Sequence, residues 1–454
     1  MSKTRHSEPS SFRDPSGHIF TENQTLYRQI NQSFKDNYRL LRDSGLFDYL
    51  VDKNFLLPHQ ETKIKPPKDA FLIIQPQKIP FISYPYEWCF SQLQAAALLT
   101  LDIQLIALKF GLSLKDASAY NIQFLGTSPI FIDTLSFEKY PDNEPWVAYR
   151  QYCQHFLAPL VLMAYTDLHL NLNLRLHIDG LSLGLTTKLL PLKARLNPGL
   201  FAHLYLHARS QHHFSDKAPG TNRHLAKKHL INLIQSLRNT TAALKLPQSQ
   251  TEWADYYDHT NYSKRSFSYK KKLVSNFLAK TKSTTVLDLG ANTGVFSQLA
   301  ADQGAHTISV DIDPLAVEKN FGNFHSPLIL PIVQDITNPS PAIGWRNQER
   351  QSFLYRLKTH QTTLALALIH HLAISNNLPL PEIAKFFASF STFLIIEFIP
   401  KEDSQVQRLL STRADIFPDY RQSAFEKIFA RYFQLLLREP ITGSHRTLYL
   451  MKRK

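Results

Sequence analysis

Val286-Leu287-Asp288-Leu289-Gly290-Ala291-Asn292-Thr293-Gly294 passes from an apolar run into a turn carrying two glycines, and a helical pattern begins behind it at Val295. Glycine has no Cβ, so Gly290 and Gly294 let the backbone turn tightly and come close to a ligand. A strand that ends in such a turn and feeds a helix presents its ligand at the strand's carboxyl end, where open α/β sheets bind. Asp311 closes the next apolar run, 23 residues after Asp288. A carboxylate at that point can grip both hydroxyls of a ribose.

The rhythm around this turn is strand and helix in alternation. Strands are predicted over 284–289, 306–310, 328–333, 363–368 and 392–398, with helices over 295–303, 314–324 and 425–429. Two further strands, 432–438 and 446–452, close the chain and are separated by Pro440 and Gly443. Alternation with short loops predicts a mostly parallel sheet with helices on both faces, to which a final hairpin adds an antiparallel edge. The expected fold class is α/β: a seven-stranded Rossmann-like sheet with an antiparallel final strand, preceded by a mainly helical α+β N-terminal domain.

A dinucleotide fingerprint needs glycine where this chain has Asn292, and no Gly-Lys-Ser/Thr follows to make a P-loop. Asp288 sets a negative charge beside the loop, which repels a pyrophosphate and suits a sulfonium ligand with an ammonium group. Asp288-x-Gly290-x-Asn292-x-Gly294, Val310-Asp311-Ile312-Asp313 and Gln334-Asp335 together resemble motifs I, II and III of class I S-adenosylmethionine-dependent methyltransferases. The resemblance runs from about Trp253 to the C-terminus. It implies that Asp288, Gly290 and Gly294, with Asn292 in the same loop, hold the methionine part of S-adenosylmethionine. It implies likewise that Asp311 holds the ribose and Asp335 the adenine amine.

In that family the fourth strand's carboxyl end faces the transferred methyl group, and here it reads Leu364-Ala365-Leu366-Ala367-Leu368-Ile369-His370-His371. The Asn/Asp-Pro-Pro-Tyr/Phe of the amino-methylating DNA and RNA enzymes is missing, and no cysteine stands nearby for pyrimidine C5 chemistry. What remains is the histidine pair. A neutral imidazole can take a proton from a hydroxyl or amine as the methyl transfers, so His371 is the expected base, with His370 beside it or lining the pocket. Glu397 and Lys401, at the end of the fifth strand, and Tyr262, in an aromatic stretch with Trp253, Tyr256 and Tyr257, are expected to meet substrate. For Glu397, Lys401 and the polar loop that follows with Arg413, Asp415 and Tyr420, a surface ion pair is the competing explanation, and for the aromatic stretch it is core packing.

The N-terminal half is less legible. A helical pattern is expected near 26–50, an extended run over 70–82, a long helix over 87–110 ended by Gly111, short strands at 122–124 and 130–132, and helices from 146 to 246. Asp116-Ala117-Ser118-Ala119-Tyr120-Asn121 followed by Phe131-Ile132-Asp133 resembles the catalytic loop and metal-binding aspartate of protein kinases. That resemblance implies a proton-accepting Asp116 with Asn121 and Asp133 on magnesium, but the Gly-rich loop, the Val-Ala-Ile-Lys strand and the His-Arg before Asp116 are absent. Pro85-Tyr86-Glu87-Trp88 and Pro145-Trp146-Val147-Ala148-Tyr149-Arg150 make the two-part layout similar to bacterial methyltransferases related to host-specific nodulation proteins.

Bulk features bound these readings. A polar, flexible tail is expected over 1–25, an accessory or substrate-selecting domain over 26–247 (degenerate kinase-like in part), and the methyltransferase domain over 252–454. Two cysteines, Cys89 and Cys153, cannot make a disulfide framework and fit a reducing cytoplasm. His203 and His207 have ligand spacing but no acidic third ligand, so no metal is expected. The net charge of +14 divides into +8 before Thr251 and +6 from there on, so a basic arm is not indicated. A small-molecule substrate is expected; nucleic acid is possible without a motif to indicate it. No signal peptide or spanning segment is read, and no membrane partner is expected. The remaining alternatives are an unreactive methyltransferase fold bearing a kinase-like binding module, or an RNA-modifying protein.

Overall fold

Apolar runs in the C-terminal half become strands buried on both faces, which is why they read as continuous hydrophobic stretches. The computed structural model describes residues 5–209, 224–246, 263–324 and 326–454. It divides into two compact units, Met1–Gln248 with Ala342–Gln351, and Ser249–Pro341 with Ser352–Lys454.

Among the described residues, unit 1 carries nine strands: β1 (Arg5–Ser7), β2 (Gly17–Glu22), β3 (Thr25–Asn31), β4 (His59–Glu61), β5 (Ala70–Pro76), β6 (Leu112–Leu114), β7 (Ile122–Leu125), β8 (Ser128–Phe131) and β9 (Phe137–Lys139). The first five form one antiparallel sheet in the order β1-β2-β3-β5-β4, and β6-β9 and β7-β8 form two small pairs. Two expectations are corrected here. Residues 5–22, expected as a flexible tail, form β1 and β2, and the N-terminal part of the helical pattern near 26–50 is β3. The cause is a two-residue turn in which Asn23 and Gln24 both take positive φ (50° and 65°), the backbone that matches the twist of a hairpin. That turn lacks the Asn-Gly pair that would have announced it. The helices Lys35–Asp43 and Leu46–Asp52 follow β3.

The helix Phe90–Lys109 is long and apolar enough to cross a membrane by length and composition, yet 61% of its most apolar window is buried inside the protein. Its partner is the helix Lys227–Ala242. Gln94 Nε2 donates to the carbonyls of Thr241 and Leu244 (2.9 Å each), and Arg238 grips Asp102 through Nε and Nη2 (2.6 and 3.0 Å).

Unit 2 holds β10 (Thr285–Leu289), β11 (His306–Asp311), β12 (Ile329–Val333), β13 (Thr362–Ala365), β14 (Phe393–Phe398), β15 (Phe433–Pro440) and β16 (Thr447–Arg453) in one seven-stranded sheet, ordered β12-β11-β10-β13-β14-β16-β15. Pairing is parallel from β12 to β14, and β16 runs antiparallel to both β14 and β15. The closing hairpin supplies the expected antiparallel final strand, β16, which lies between β14 and β15 and leaves β15 at the edge. This is a methyltransferase-like α/β sheet. The chain leaves β10 toward β11 on one side and returns to β13 on the other, so a crevice opens between the carboxyl ends of β10 and β13. The helices Lys264–Thr281 and Val295–Ala301 cover one face, with Val274, Phe277, Phe296 and Ala300 in the same core cluster as Val286 and Leu364.

Gly17 shows how tightly the N-terminal sheet closes. A Cβ there would lie 2.1 Å from the Gln29 carbonyl oxygen and 2.9 Å from Leu135 Cδ1. Gly17→Ala is accordingly expected to destabilise the protein by about 1–3 kcal/mol, read as a lowered midpoint in chemical or thermal unfolding.

Candidate functional site

Three residues of the loop after β10 have left-handed backbone: Gly290 (φ 72°), Asn292 (φ 52°) and Gly294 (φ 83°). Asparagine is among the few side chains that tolerate this region. The amides of Gly290 and Ala291 both donate to the Val310 carbonyl (2.9 Å each), which folds the loop back onto β11. The glycines are needed for different neighbours. A Cβ on Gly294 would sit 2.4 Å from the Asn320 carboxamide oxygen, while one on Gly290 would sit 3.3 Å from Leu368 Cδ1.

Asp288 lies beneath this loop, 2% exposed. Ser297 Oγ donates to its Oδ2 at 2.7 Å and is 2.8 Å from Ser309 Oγ, to which Asn320 Nδ2 donates at 2.6 Å. A hydroxyl has one hydrogen to give. With Ser297 committed to the carboxylate, Ser309 must donate to Ser297, so a polarised chain runs from Asn320 to Asp288. Even so, burial pushes the Asp288 carboxyl up to about 7, and the neighbouring Asp311 adds to the rise. Asp311 is pushed up to about 6 by burial, against the pull of its backbone donors. Those donors are the amides of Asn292 (2.7 Å, to Oδ2) and Asp313 (3.0 Å, to Oδ1), so one carboxylate ties the glycine loop to the end of β11. Ile312, next in the chain, is 54% exposed. An isoleucine held out between two acids offers an apolar face beside Asp311; sequence reasoning passed over it, although its place between Asp311 and Asp313 was the signal. Asp335, after β12, accepts from the Thr337 amide and hydroxyl (2.7 Å each), both at Oδ1.

At the reacting end the structure gathers charges from distant parts of the chain. Glu397, at the end of β14, is fully buried. Its Oε2 accepts from Lys270 Nζ (2.6 Å) and from the Ala367 amide (2.8 Å), and its Oε1 is 3.6 Å from Arg446 Nη1. Arg446 in turn grips Asp403 through Nε and Nη2 (2.6 and 3.0 Å). The bond from Ala367 matters because that residue has φ 49°, unusual for alanine. Glu397 thereby holds the exit of β13 in the turn that lays Leu368 against Gly290. Nothing local marks Arg446 in the sequence, and Lys270, in the basic run Lys270–Lys272 that reads as a solvated face, is instead buried against Glu397.

His370 is buried, and its Nδ1 has no hydrogen-bond partner among the described residues. The His371 ring lies against it, tilted by 41° with 4.1 Å between ring centroids. Burial pushes the His371 imidazole down to about 4, and the Arg446 charge pushes the same way; His370 lies well below the usual range for the same first reason. Both rings are neutral near pH 7. Lys401 pairs with Asp415 (2.6 and 2.8 Å) at the surface beyond β14. Tyr262, with Trp253, Tyr256 and Tyr257, lies outside the described residues.

In unit 1, Asp116 is hydrogen-bonded by the Ser118 amide (2.9 Å) and by the side chains of Asn121 and Gln151, and Asp133 is close enough to raise its carboxyl further beyond the rise that burial causes. Asp133 is ion-paired to Arg28 of β3 and accepts from Ser136 Oγ (2.5 Å) and the Leu135 amide (3.1 Å). The three residues of the kinase resemblance are thus brought together, with Arg28 already on the carboxylate that would take a metal. His203 is bonded to Tyr149 Oη (2.7 Å) and Ser236 Oγ (3.1 Å), and no metal-ligand group of three exists among the described residues.

No family model matches the chain. The nodulation protein NoeA of Rhizobium meliloti (strain 1021) is 35% identical over 456 residues, spanning 98% of this chain and 95% of that protein. The protein arginine N-methyltransferase 1 of Saccharomyces cerevisiae (strain ATCC 204508 / S288c) is 25% identical over 221 residues, 45% of this chain and 58% of that one. Among solved structures, the N-methyltransferase NodS from Bradyrhizobium japonicum WM9 aligns with a TM-score of 0.32 at 11% identity, covering 42% of this chain and 98% of that one.

Two outcomes follow from the geometry. Because the Asp288 and Asp311 carboxyls are raised to about 7 and about 6, their contribution to the stability of the ligand-free fold is full below about pH 4 and is lost as pH rises through about 6–7. Asp288→Asn is expected to raise the thermal midpoint of the free protein above about pH 7 while weakening S-adenosylhomocysteine binding; the wild-type dissociation constant should rise about tenfold per pH unit below about 7, and the variant's should respond less. Lys270→Met leaves Glu397 buried without its nearest cation and is expected to cost about 3–5 kcal/mol in denaturant unfolding.

Proposed function

The chain belongs to the family of the nodulation protein NoeA and is an S-adenosylmethionine-dependent methyltransferase, and from that premise we propose that it transfers the methyl group to an oxygen or nitrogen nucleophile of a small molecule. The observation that carries the reading is Asp311. It is buried at the carboxyl edge of β11, and backbone amides on both of its oxygens aim it at the crevice beside the glycine loop.

The bound cofactor supplies an electrophilic methyl group on a sulfonium. Asp311 would hold the ribose hydroxyls and Asp335 the adenine amine, with the exposed Ile312 side chain offering the base an apolar neighbour. Asp288, held by the Ser297 hydroxyl, offers its charge to the ammonium end, while Gly290, Asn292 and Gly294 shape the backbone around the methionine part. The histidine pair then narrows the acceptor. An imidazole whose conjugate acid sits at about 4 cannot strip a proton from an ammonium group beforehand. It can take one from a hydroxyl that turns strongly acidic as the carbon–oxygen bond forms. The low basicity of His371 therefore favours oxygen over nitrogen. Glu397, committed to Lys270 and Ala367, acts by positioning rather than by touching substrate, and Lys401 is the acceptor-side cation at the same edge. Unit 1 would select the acceptor; with Arg28 on Asp133, its kinase-like cluster supports a binding role better than phosphoryl transfer.

The test is transfer of label from methyl-labelled S-adenosylmethionine into a fractionated small-molecule extract, with Asp311→Ala as control. Label is expected in the wild-type reaction alone. If neither transfer nor S-adenosylhomocysteine binding is seen, the reading fails. His371→Ala is expected to slow label transfer about 10²-fold while leaving the S-adenosylhomocysteine dissociation constant unchanged.

A further inference from the structure

Residues 180–209 contain ten leucines, Lys188, Lys193, Arg195 and Arg209, and no aspartate or glutamate. They fold into short, mutually touching helices: Leu183–Leu189, Leu192–Leu196, Pro198–Leu200 and Phe201–Leu206. Leu183, Leu190, Ala194, Leu200 and Leu204 are buried and fix these helices to unit 1. The remaining apolar side chains point the other way: Leu185, Leu189, Leu192, Leu196, Phe201 and Leu206 are all exposed, Leu192 by 75% and Leu196 by 83%. Arg195 lies over the Tyr205 ring (5.3 Å), and Tyr205 stacks on Phe201 (6.3 Å), joining two of the helices into one surface.

Water is a poor solvent for so many leucines on neighbouring helices, and patches of this kind mark an interaction surface. The pattern of charge selects the partner. Exposed cations stand directly beside exposed leucines in the pairs Lys188-Leu189, Leu192-Lys193 and Arg195-Leu196. The centre of a protein–protein interface is depleted of lysine, whereas a bilayer surface receives both groups at once: leucines enter the acyl boundary and cations meet phosphates. A carboxylate would oppose contact with anionic headgroups, and none occurs within residues 180–209. Nucleic acid would use the cations and leave the leucines in water.

We propose that this surface docks unit 1 onto an anionic lipid bilayer, peripherally and without a spanning segment. This revises the expectation that no membrane is a partner, which rested on the missing spanning segment alone. It also holds whether or not the methyl acceptor has been identified correctly.

The test is flotation of the full-length protein with phosphatidylcholine vesicles, with and without phosphatidylglycerol. Wild type is expected to float with the anionic vesicles and much less with the zwitterionic ones. Leu192→Ser/Leu196→Ser should lose most of the binding, about tenfold or more. Lys193→Gln/Arg195→Gln should lose the preference for phosphatidylglycerol, and this second variant keeps the test decisive if the first does not fold. Both should retain wild-type affinity for S-adenosylhomocysteine. Vesicle binding at background level, or binding unchanged in both variants, overturns the proposal. So does a wild-type dimer in sedimentation equilibrium that the leucine variant abolishes, or binding to mixed RNA that the leucine variant loses.

Discussion

Two carboxylates buried side by side at the carboxyl edge of one sheet constrain everything around them. Water no longer stabilises the charge on Asp288 or Asp311, so each must be satisfied by the fold or stay protonated. The chain answers differently for each. Asp311 takes two backbone amides, one from the glycine loop and one from the turn after β11, and in doing so decides the loop's shape. Asp288 takes a hydroxyl at the end of a relay that starts at Asn320, and Gly294 has to be glycine because Asn320 occupies the space a Cβ would need. Both solutions are incomplete, since burial still leaves the two groups well above the usual carboxylate range. An incompletely satisfied pair of acids lowers the stability of the empty protein where both are ionised.

The opposite side of the crevice is organised by a second buried charge. Glu397 joins a lysine from the helix before β10, an arginine from just before β16 and a backbone amide from the end of β13. Such a network is poor evidence of stability, because desolvation offsets much of the attraction. Its effect is geometric and electrostatic. It keeps Ala367 left-handed, sets Leu368 on Gly290, and surrounds the histidine pair with positive charge. Burial keeps the pair neutral, and the Arg446 charge acts in the same direction.

The motif residues were readable because their constraints are local. A strand that turns on Gly290 and Gly294, with an acid at the end of the next strand, declares a binding edge within a window of about thirty residues, and the structure sets Asp288, Asp311, Asn292 and both glycines within that edge. Glu397 was legible as an acid at a strand end but not as a committed one. Its partners Lys270 and Arg446 stand 127 and 49 residues away in sequence, and neither has a local signature. The same holds for Arg28 against Asp133. The β2–β3 hairpin was missed for another reason: its turn uses Asn23-Gln24, so only the backbone shows that both residues are left-handed.

The sequence by itself determined an α/β C-terminal half, the strand that runs into the glycine turn, and a loop whose acid and asparagine suit a cationic cofactor rather than a pyrophosphate. These follow from periodicity and from the φ angles glycine and asparagine accept, which are properties of short segments. Only the tertiary structure decided that β16 is inserted between β14 and β15, that the histidine pair is held neutral beside Arg446, and that six apolar side chains of a leucine-rich stretch face outward while five neighbours are buried. Those outcomes depend on which distant residues share a desolvated space, and burial there changes a group's charge or orientation without leaving a local mark in the sequence.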